Sequence, residues 1–263
     1  MDRLRLTILG SGSSMGIPTL GCHCRVCSSS DVRDRRTRSS LLLSFEGRNV
    51  VIDSSADFRQ QALREHLERL DAVVLTHAHA DHILGLDDIR PFNLKRNGPI
   101  PVYGSRETLE VVRRTFAYIF EDVNPYSSLP AIQLVPIDGP FDPFGVPGRP
   151  LVLVPVPAWH GPLPVLGFRV GRAAYLTDFS TVPETSKQLL RGLDDLILDA
   201  LRDVPHPMHS TVSQSLALVA ELQPRRAWFT HICHDLPHEE TNRRLPAHVR
   251  LAYDGLSFEV ALE

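Results

Sequence analysis

His77-Ala78-His79-Ala80-Asp81-His82 sets four metal-donor side chains within six residues, directly after an apolar run. Imidazole and carboxylate together suit zinc, manganese or iron, with supply deciding among them. Alternate residues of an extended turn project the same way, so His77 and His79 can share one ion. Asp81 and His82, where the chain turns into a helix, then reach a second. Three more donors stand at the ends of apolar runs: His160 beyond Leu151 to Val156, Asp178 after Ala174 to Thr177, and His231 after Ala227 to Thr230. Strand ends are where an open sheet presents its site-building loops. One histidine in such a place reads as a surface or packed residue. Seven donors so distributed would each need pairing or solvation, and shared cations meet that need together.

A second cluster, Cys22-x-Cys24-x-x-Cys27, holds three of the four cysteines, a pattern suited to metal rather than to disulfides. The fourth cysteine, Cys233, stands beside His234, and spacing alone leaves either as a further ligand. Gly10-Ser11-Gly12-Ser13-Ser14 lacks the continuation of a nucleotide loop and reads as a tight turn near the metal edge. The run Arg33 to Arg38 has mixed sign, which predicts a solvated loop or local ion pairs with Asp31 and Asp34.

These donors need a scaffold. The 263 residues carry 28 Lys+Arg against 31 Asp+Glu, a net charge of -3, so the electrostatic footprint of a nucleic-acid coater is missing. No run approaches the ~18 apolar residues of a membrane span, and the opening Met-Asp-Arg-Leu-Arg leads into a strand pattern rather than a secretory segment. A soluble, cytoplasmic protein without a membrane partner is expected.

Period-2 or β-branched runs predict strands at 4–9, 41–45, 50–52, 72–76, 101–103, 132–137, 151–156, 166–170, 173–177, 196–199 and 227–230. Helical spacing marks 57–70, 105–120, a segment from Pro183, and 212–222, and Asp254-Gly255 predicts a closing hairpin. Residues 139–164 hold eight prolines and four glycines, favouring loops and edge segments that connect two sheets, with His160 near one end. No repeat or linker interrupts the chain. It reads as one α/β domain over 1–263, two sheets with helices outside, with a small zinc-binding insertion around 21–38.

His77-x-His79-x-Asp81-His82, followed in order by His160, Asp178 and His231, resembles the metallo-β-lactamase superfamily along essentially the whole chain. The resemblance implies a four-layer αβ/βα sandwich of two mixed β-sheets with a dinuclear metal centre at one edge. It implies that His77, His79 and His160 bind one divalent ion and Asp81, His82 and His231 the other, with Asp178 bridging and Asp53 supporting. A bridging Asp178 is similar to the phosphodiesterase and glyoxalase II branches. The latter needs a long C-terminal extension, and only about 30 residues follow His231. An acidic residue stands at the place of His79 in the flavo-diiron branch, which argues against redox iron.

Cys22, Cys24, Cys27 and His234 resemble the structural zinc site of a cyclic ribosyl phosphodiesterase of this superfamily, the phosphodiesterase of the carbon-phosphorus lyase pathway. The same resemblance makes His209 the general acid, with His206 its nearest competitor and His23, His66, His238 and His248 left to surface or packing roles. Asp81 and His209 are the residues assigned to catalysis. The expected cofactors are two active-site ions, zinc or manganese, and one structural zinc. The expected reaction is hydrolysis of a small, cyclic phosphate diester by attack of a hydroxide held between the two ions. The rivals are a tRNA 3'-processing nuclease, which needs a protruding arm not visible here, and a non-catalytic carrier resembling the pyrroloquinoline quinone biosynthesis protein. The partner expected is a small phosphate ester rather than nucleic acid, and a homodimer is compatible with this reading.

Overall fold

The computed structural model describes residues 3–120 and 129–262. The first sheet is built by β1 (Arg3–Gly10), β2 (Ser40–Phe45), β3 (Arg48–Ile52), β4 (Ala72–Val74), β5 (Ile100–Gly104) and β6 (Ile132–Pro136). The second follows with β7 (Leu153–His160), β8 (Leu163–Val170), β9 (Ala173–Leu176), β10 (Asp195–Asp199), β11 (Arg226–Thr230) and β12 (Val249–Leu251). The chain then returns to the first sheet through β13 (Ser257–Ala261). The spatial orders are β13-β1-β2-β3-β4-β5-β6 and β12-β11-β10-β9-β8-β7. Each sheet joins an antiparallel meander, β1 to β3 or β7 to β9, to strands that run parallel.

Alternation along the strands explains the layers. Leu4, Leu6, Ile8, Val50, Ile52 and Val74 meet Leu153, Phe168, Tyr175 and Ile197 in a core between the sheets. The intervening Leu9, Val51 and Val73 face outward and pack under α1 (Phe58–Arg64), α3 (Arg90–Arg96) and α4 (Arg106–Thr115), with the short α2 (Ala80–Ile83) between the first two. A one-turn α5 (Ala117–Phe120) continues α4. Across the molecule Leu176, Leu196, Leu198 and Phe229 pack under α6 (Glu184–Leu189), α7 (Val212–Leu222) and α8 (His238–Arg244). Among the described residues no helix is long and apolar enough to cross a membrane.

Four local expectations are corrected. The helix expected over 57–70 ends at Arg64, because His66 takes a left-handed conformation (φ 50°) and Leu67 N–H folds back to Ala62 C=O at 2.9 Å. The 105–120 pattern breaks into α4 and α5 at Phe116. The strand expected over 151–156 runs to His160 as half of an eight-residue pair with β8; it lies at a sheet edge, where Pro155 and Pro157 leave no inner ladder bond unmade. Asp254-Gly255 closes no hairpin, since β12 and β13 lie in different sheets. Its carboxylate instead accepts Ser11 N–H and O–H and Thr37 N–H and O–H at 2.6–2.9 Å, tying the end of β1 to the segment before β2.

The Arg33 to Arg38 run is also only half as expected. Arg33 pairs with Asp31 and Arg38 with Asp57, as a mixed-sign loop should. Arg36 is 2% exposed and donates to Ser11 Oγ, Ala252 C=O and His238 Nδ1, so it is a buried strut rather than a solvated charge.

Candidate metal centre and active site

The strands end where the donors begin. Asp53 follows β3, His77 and His79 lie between β4 and α2, His160 closes β7, Asp178 follows β9, and His231 follows β11. Asp53, Asp178 and His231 all take left-handed backbone (φ 62°, 52° and 56°), a conformation uncommon for side-chain-bearing residues that concentrates at functional sites. It turns each chain sharply at the sheet edge and aims the side chain across it.

Two donor sets result. His77, His79 and His160 form one, and Asp81, His82, Asp178 and His231 form the other, each with ligand atoms within 4.8 Å of one another. Asp178 also lies within that distance of His160 and His209 donor atoms, so it stands between the sets.

Three of the rings are oriented from behind. Asp53 is fully buried and accepts Thr76 N–H at 2.8 Å, the Thr76 hydroxyl at 2.8 Å and His82 Nδ1–H at 2.7 Å. With its proton given to Asp53, the Thr76 hydroxyl accepts His77 Nδ1–H at 2.9 Å. One carboxylate thus fixes a ring in each donor set. His160 Nδ1–H donates to Met208 C=O at 2.7 Å. In all three the Nε2 lone pair is left facing inward.

Two of these inward nitrogens, with that of His231, show whether the residues fit metal ions. Nε2 of His77, His82 and His231 is buried without a hydrogen-bond partner, a costly state for three neighbouring groups. The electrostatics agree. Burial holds His77 well below the usual histidine range and brings His160 to about 4, so these two rings of the first set are neutral imidazole. In the second set burial opposes charge on His231, yet Asp178, Asp81 and Asp199 raise it to about 9, and Asp178 and Asp53 raise His82. The carboxylates there draw positive charge from whatever is nearby. Neutral imidazoles in one set, and in the other two carboxylates set 3.2 Å from imidazole nitrogens that burial would keep neutral, are the donor chemistry of divalent cation sites.

His209 sits over both sets, its ring stacked on His231 (4.6 Å between centroids, 16° between planes) and edge-on to His160 at 4.5 Å. Its Nδ1–H donates to Asp199 Oδ2 at 2.8 Å. Asp199, fully buried at the end of β10, was not singled out among the candidate residues; an acidic residue closing the apolar run Leu196-Ile197-Leu198 was the available signal. His206 lies beside His209 with ring centroids 5.1 Å apart and accepts Met208 N–H on Nδ1. Gly161 lets this loop close, since a Cβ there would fall 2.2 Å from Met208 Sδ.

The cysteine cluster is separate. Cys22, Cys24 and Cys27 place Sγ 3.2, 3.5 and 3.4 Å from His234 Nδ1. The sulfur-to-nitrogen edge of a tetrahedral zinc site, from its usual bond lengths, is about 3.5 Å. Cys233 is outside the cluster, its buried thiol against Asp235 and pushed up to about 12 by burial. His231 and His234 lie on one short segment that is stitched to the 11–13 turn by Ser13 N–H to Ile232 C=O and Ile232 N–H to Ser11 C=O, both 3.0 Å.

Residues 48–232 match the family model of the beta-lactamase superfamily domain. The chain belongs to the metallo-β-lactamase superfamily. Within this superfamily it is PhnP-like: a solved structure described as a new diphosphatase from the PhnP family is 48% identical, covers 99% of this chain and 98% of that one, and superposes with a TM-score of 0.91. A curated octanoyltransferase of Porphyromonas gingivalis is 39% identical over 96% of this chain, which spans only 51% of that protein. Zinc-bound PqqB from Methylobacterium extorquens, 23% identical with a TM-score of 0.78 over 97% and 99% of the two chains, shares the fold. The metallo-β-lactamase fold and the PhnP-family neighbour support a metal-dependent hydrolase, and the fold implies divalent ions.

Cys24→Ser is expected to lower bound zinc by one ion per chain and Tm by on the order of 5–10 °C, because a structural zinc contributes its binding energy to the folded state. Elemental analysis and calorimetry check this; an unchanged Tm removes the structural role.

Proposed function

We propose that the protein is a phosphodiesterase acting on a small phosphate diester, a cyclic one foremost. The observation that carries this reading is the His209–Asp199 pair, held at 2.8 Å beside the two donor sets. His77, His79 and His160 would hold one ion, Asp81, His82 and His231 the other, and Asp178 would be shared. Bound divalent ions supply Lewis acidity toward a phosphoryl oxygen and a nucleophile from water at neutral pH. Everything else belongs to the chain. Asp53, Thr76 and Met208 keep the ligand rings in one tautomer, so no reorientation is needed on binding. Asp199 takes the Nδ1–H of His209 and directs Nε2 outward. When the bond from phosphorus to the leaving oxygen breaks, that oxygen keeps the electron pair and takes the Nε2 proton. A group built to protonate a departing oxygen suits an alkoxide, the leaving group of a diester.

A second reading has its own support. The 48% identical neighbour is described as a diphosphatase. A diphosphate releases a phosphate, which departs without help from an acid, so His209 would then serve binding rather than proton transfer. Octanoyl transfer is not carried over, because the matching stretch is only half of the protein so named.

Steady-state assays on metal-loaded protein separate the readings. The expected result is kcat/KM at least about tenfold higher for a cyclic ribosyl phosphate or cyclic nucleotide than for a nucleoside diphosphate ester, with shallow salt dependence. The reverse order selects the diphosphate reading.

A further inference from the structure

α8 and the edge strand β12 border a groove of about 550 Å³ whose walls include Trp228, His238, Asn242, Arg243, Arg250 and Tyr253, and none of the seven metal-donor residues. We propose that this groove is a second binding site, one that takes the phosphate group of a small molecule. It stands apart from the phosphodiesterase reading and does not depend on it.

His238 is the decisive residue. It is only 3% exposed, and its Nδ1 lies 3.1 Å from Nη2 of the buried Arg36. A guanidinium has donors only, so Nδ1 accepts and the neutral ring carries its proton on Nε2. Burial, with Arg36 and Arg33 nearby, brings the group to about 4, which agrees with a neutral ring. Among the described residues nothing accepts from Nε2–H, and the ring edge that bears it belongs to the groove. With no acceptor from the chain, this N–H of an otherwise buried ring is open to solvent or to a ligand in the groove.

Its neighbours repeat the pattern. Asn242 spends its carbonyl oxygen on Leu251 N–H at 2.8 Å, which leaves its amide hydrogens. Arg250 Nη1 donates to Pro246 and Val249 carbonyls, and among the described residues neither Arg250 nor Arg243 is ion-paired to a carboxylate, Glu240 near Arg243 being held by Arg25 at 2.7 Å. The one carboxylate on the wall, Glu239, is already held by Arg33 at 2.7 Å, and Arg33 is shared with Asp31 at 2.8 Å. The groove therefore offers two guanidiniums and two neutral N–H donors with no free acidic group. A phosphate, with several acceptor oxygens and at least one full charge, matches that inventory. The concavity is of small-ligand size rather than a polyanion track, and Trp228 and Tyr253 supply flat apolar walls for the rest of such a molecule.

Calorimetric titration of the metal-loaded protein with inorganic phosphate tests the site. The expected result is a binding event that the double variant Arg243→Glu/Arg250→Glu removes while metal content and Tm stay at the parent's values, whether or not the metal centre binds phosphate as well. His238→Asn keeps an acceptor for Arg36 but removes the outer N–H, and should weaken that event at least about tenfold; if it fails to fold, the surface arginine variant still decides. In 15N-histidine spectra the His238 Nε2–H resonance should move with phosphate in the parent only. No event in the parent, or events that all survive the variants, overturns the proposal. So does a dimer that the arginine variant dissociates with no loss of phosphate binding.

Discussion

His209→Ala is expected to lower kcat on a diester with a poor leaving group by about 10² to 10⁴, the usual range for loss of a general acid. The variant should keep its full metal content, because the three rings with fixed Nδ1 partners and the carboxylates at 81 and 178 do not depend on it. On bis(p-nitrophenyl) phosphate, whose leaving group needs no proton, the loss should be much smaller. That split is the signature of proton donation, since truncation of a merely space-filling ring would reduce both rates alike. Equal losses would make His209 a positioning residue for substrate. No loss on either would leave the stacked ring over His231 without a chemical role.

Asp53→Ala should be the most damaging single change behind the site. The carboxylate has no exposure and three donors depend on it, one of them the His82 ring in the second donor set. Breaking a buried pair by removing one partner costs on the order of 3–5 kcal/mol, which corresponds to a Tm loss of about 10 °C for a chain of this size. Metal affinity should fall a further 10- to 100-fold, as it does when a group orienting a ligand is removed. Asp53→Asn is the informative control: it keeps the volume, tolerates the left-handed backbone, and sets an amide against two donors. Calorimetry with competitive chelation measures both quantities. A Tm within 2 °C of the parent and unchanged affinity for Asp53→Ala would falsify the supporting role.

The donors were legible in the sequence because their residue types are seldom placed together by chance at strand ends, and the strands because apolar alternation makes the sheet faces readable. What escaped notice depended on contacts between distant segments. Asp199 looks like any acid that ends an apolar strand until the 206–209 loop brings His209 onto it. Asp254-Gly255 carries a hairpin signal, yet its side chain serves two segments more than 200 residues earlier. Arg36 sits in a run whose neighbours pair on the surface, and only the packing of α8 against that loop buries it. Local pattern carries residue type and period, and these features belong to neither.

The left-handed backbone at Asp53, Asp178 and His231 also bears on how this centre can be altered. At such positions the main chain restricts the choice of side chain before any question of metal arises. Asparagine, aspartate and glycine fit readily there, whereas a β-branched residue would meet its own carbonyl. The backbone therefore leaves ligand exchange open at His79, whose conformation is ordinary and whose ring no buried partner holds, and narrow at the two donor corners that follow β9 and β11. An engineer seeking a new metal preference has the segment between β4 and α2 to work with, and the far side of the centre is nearly closed to revision.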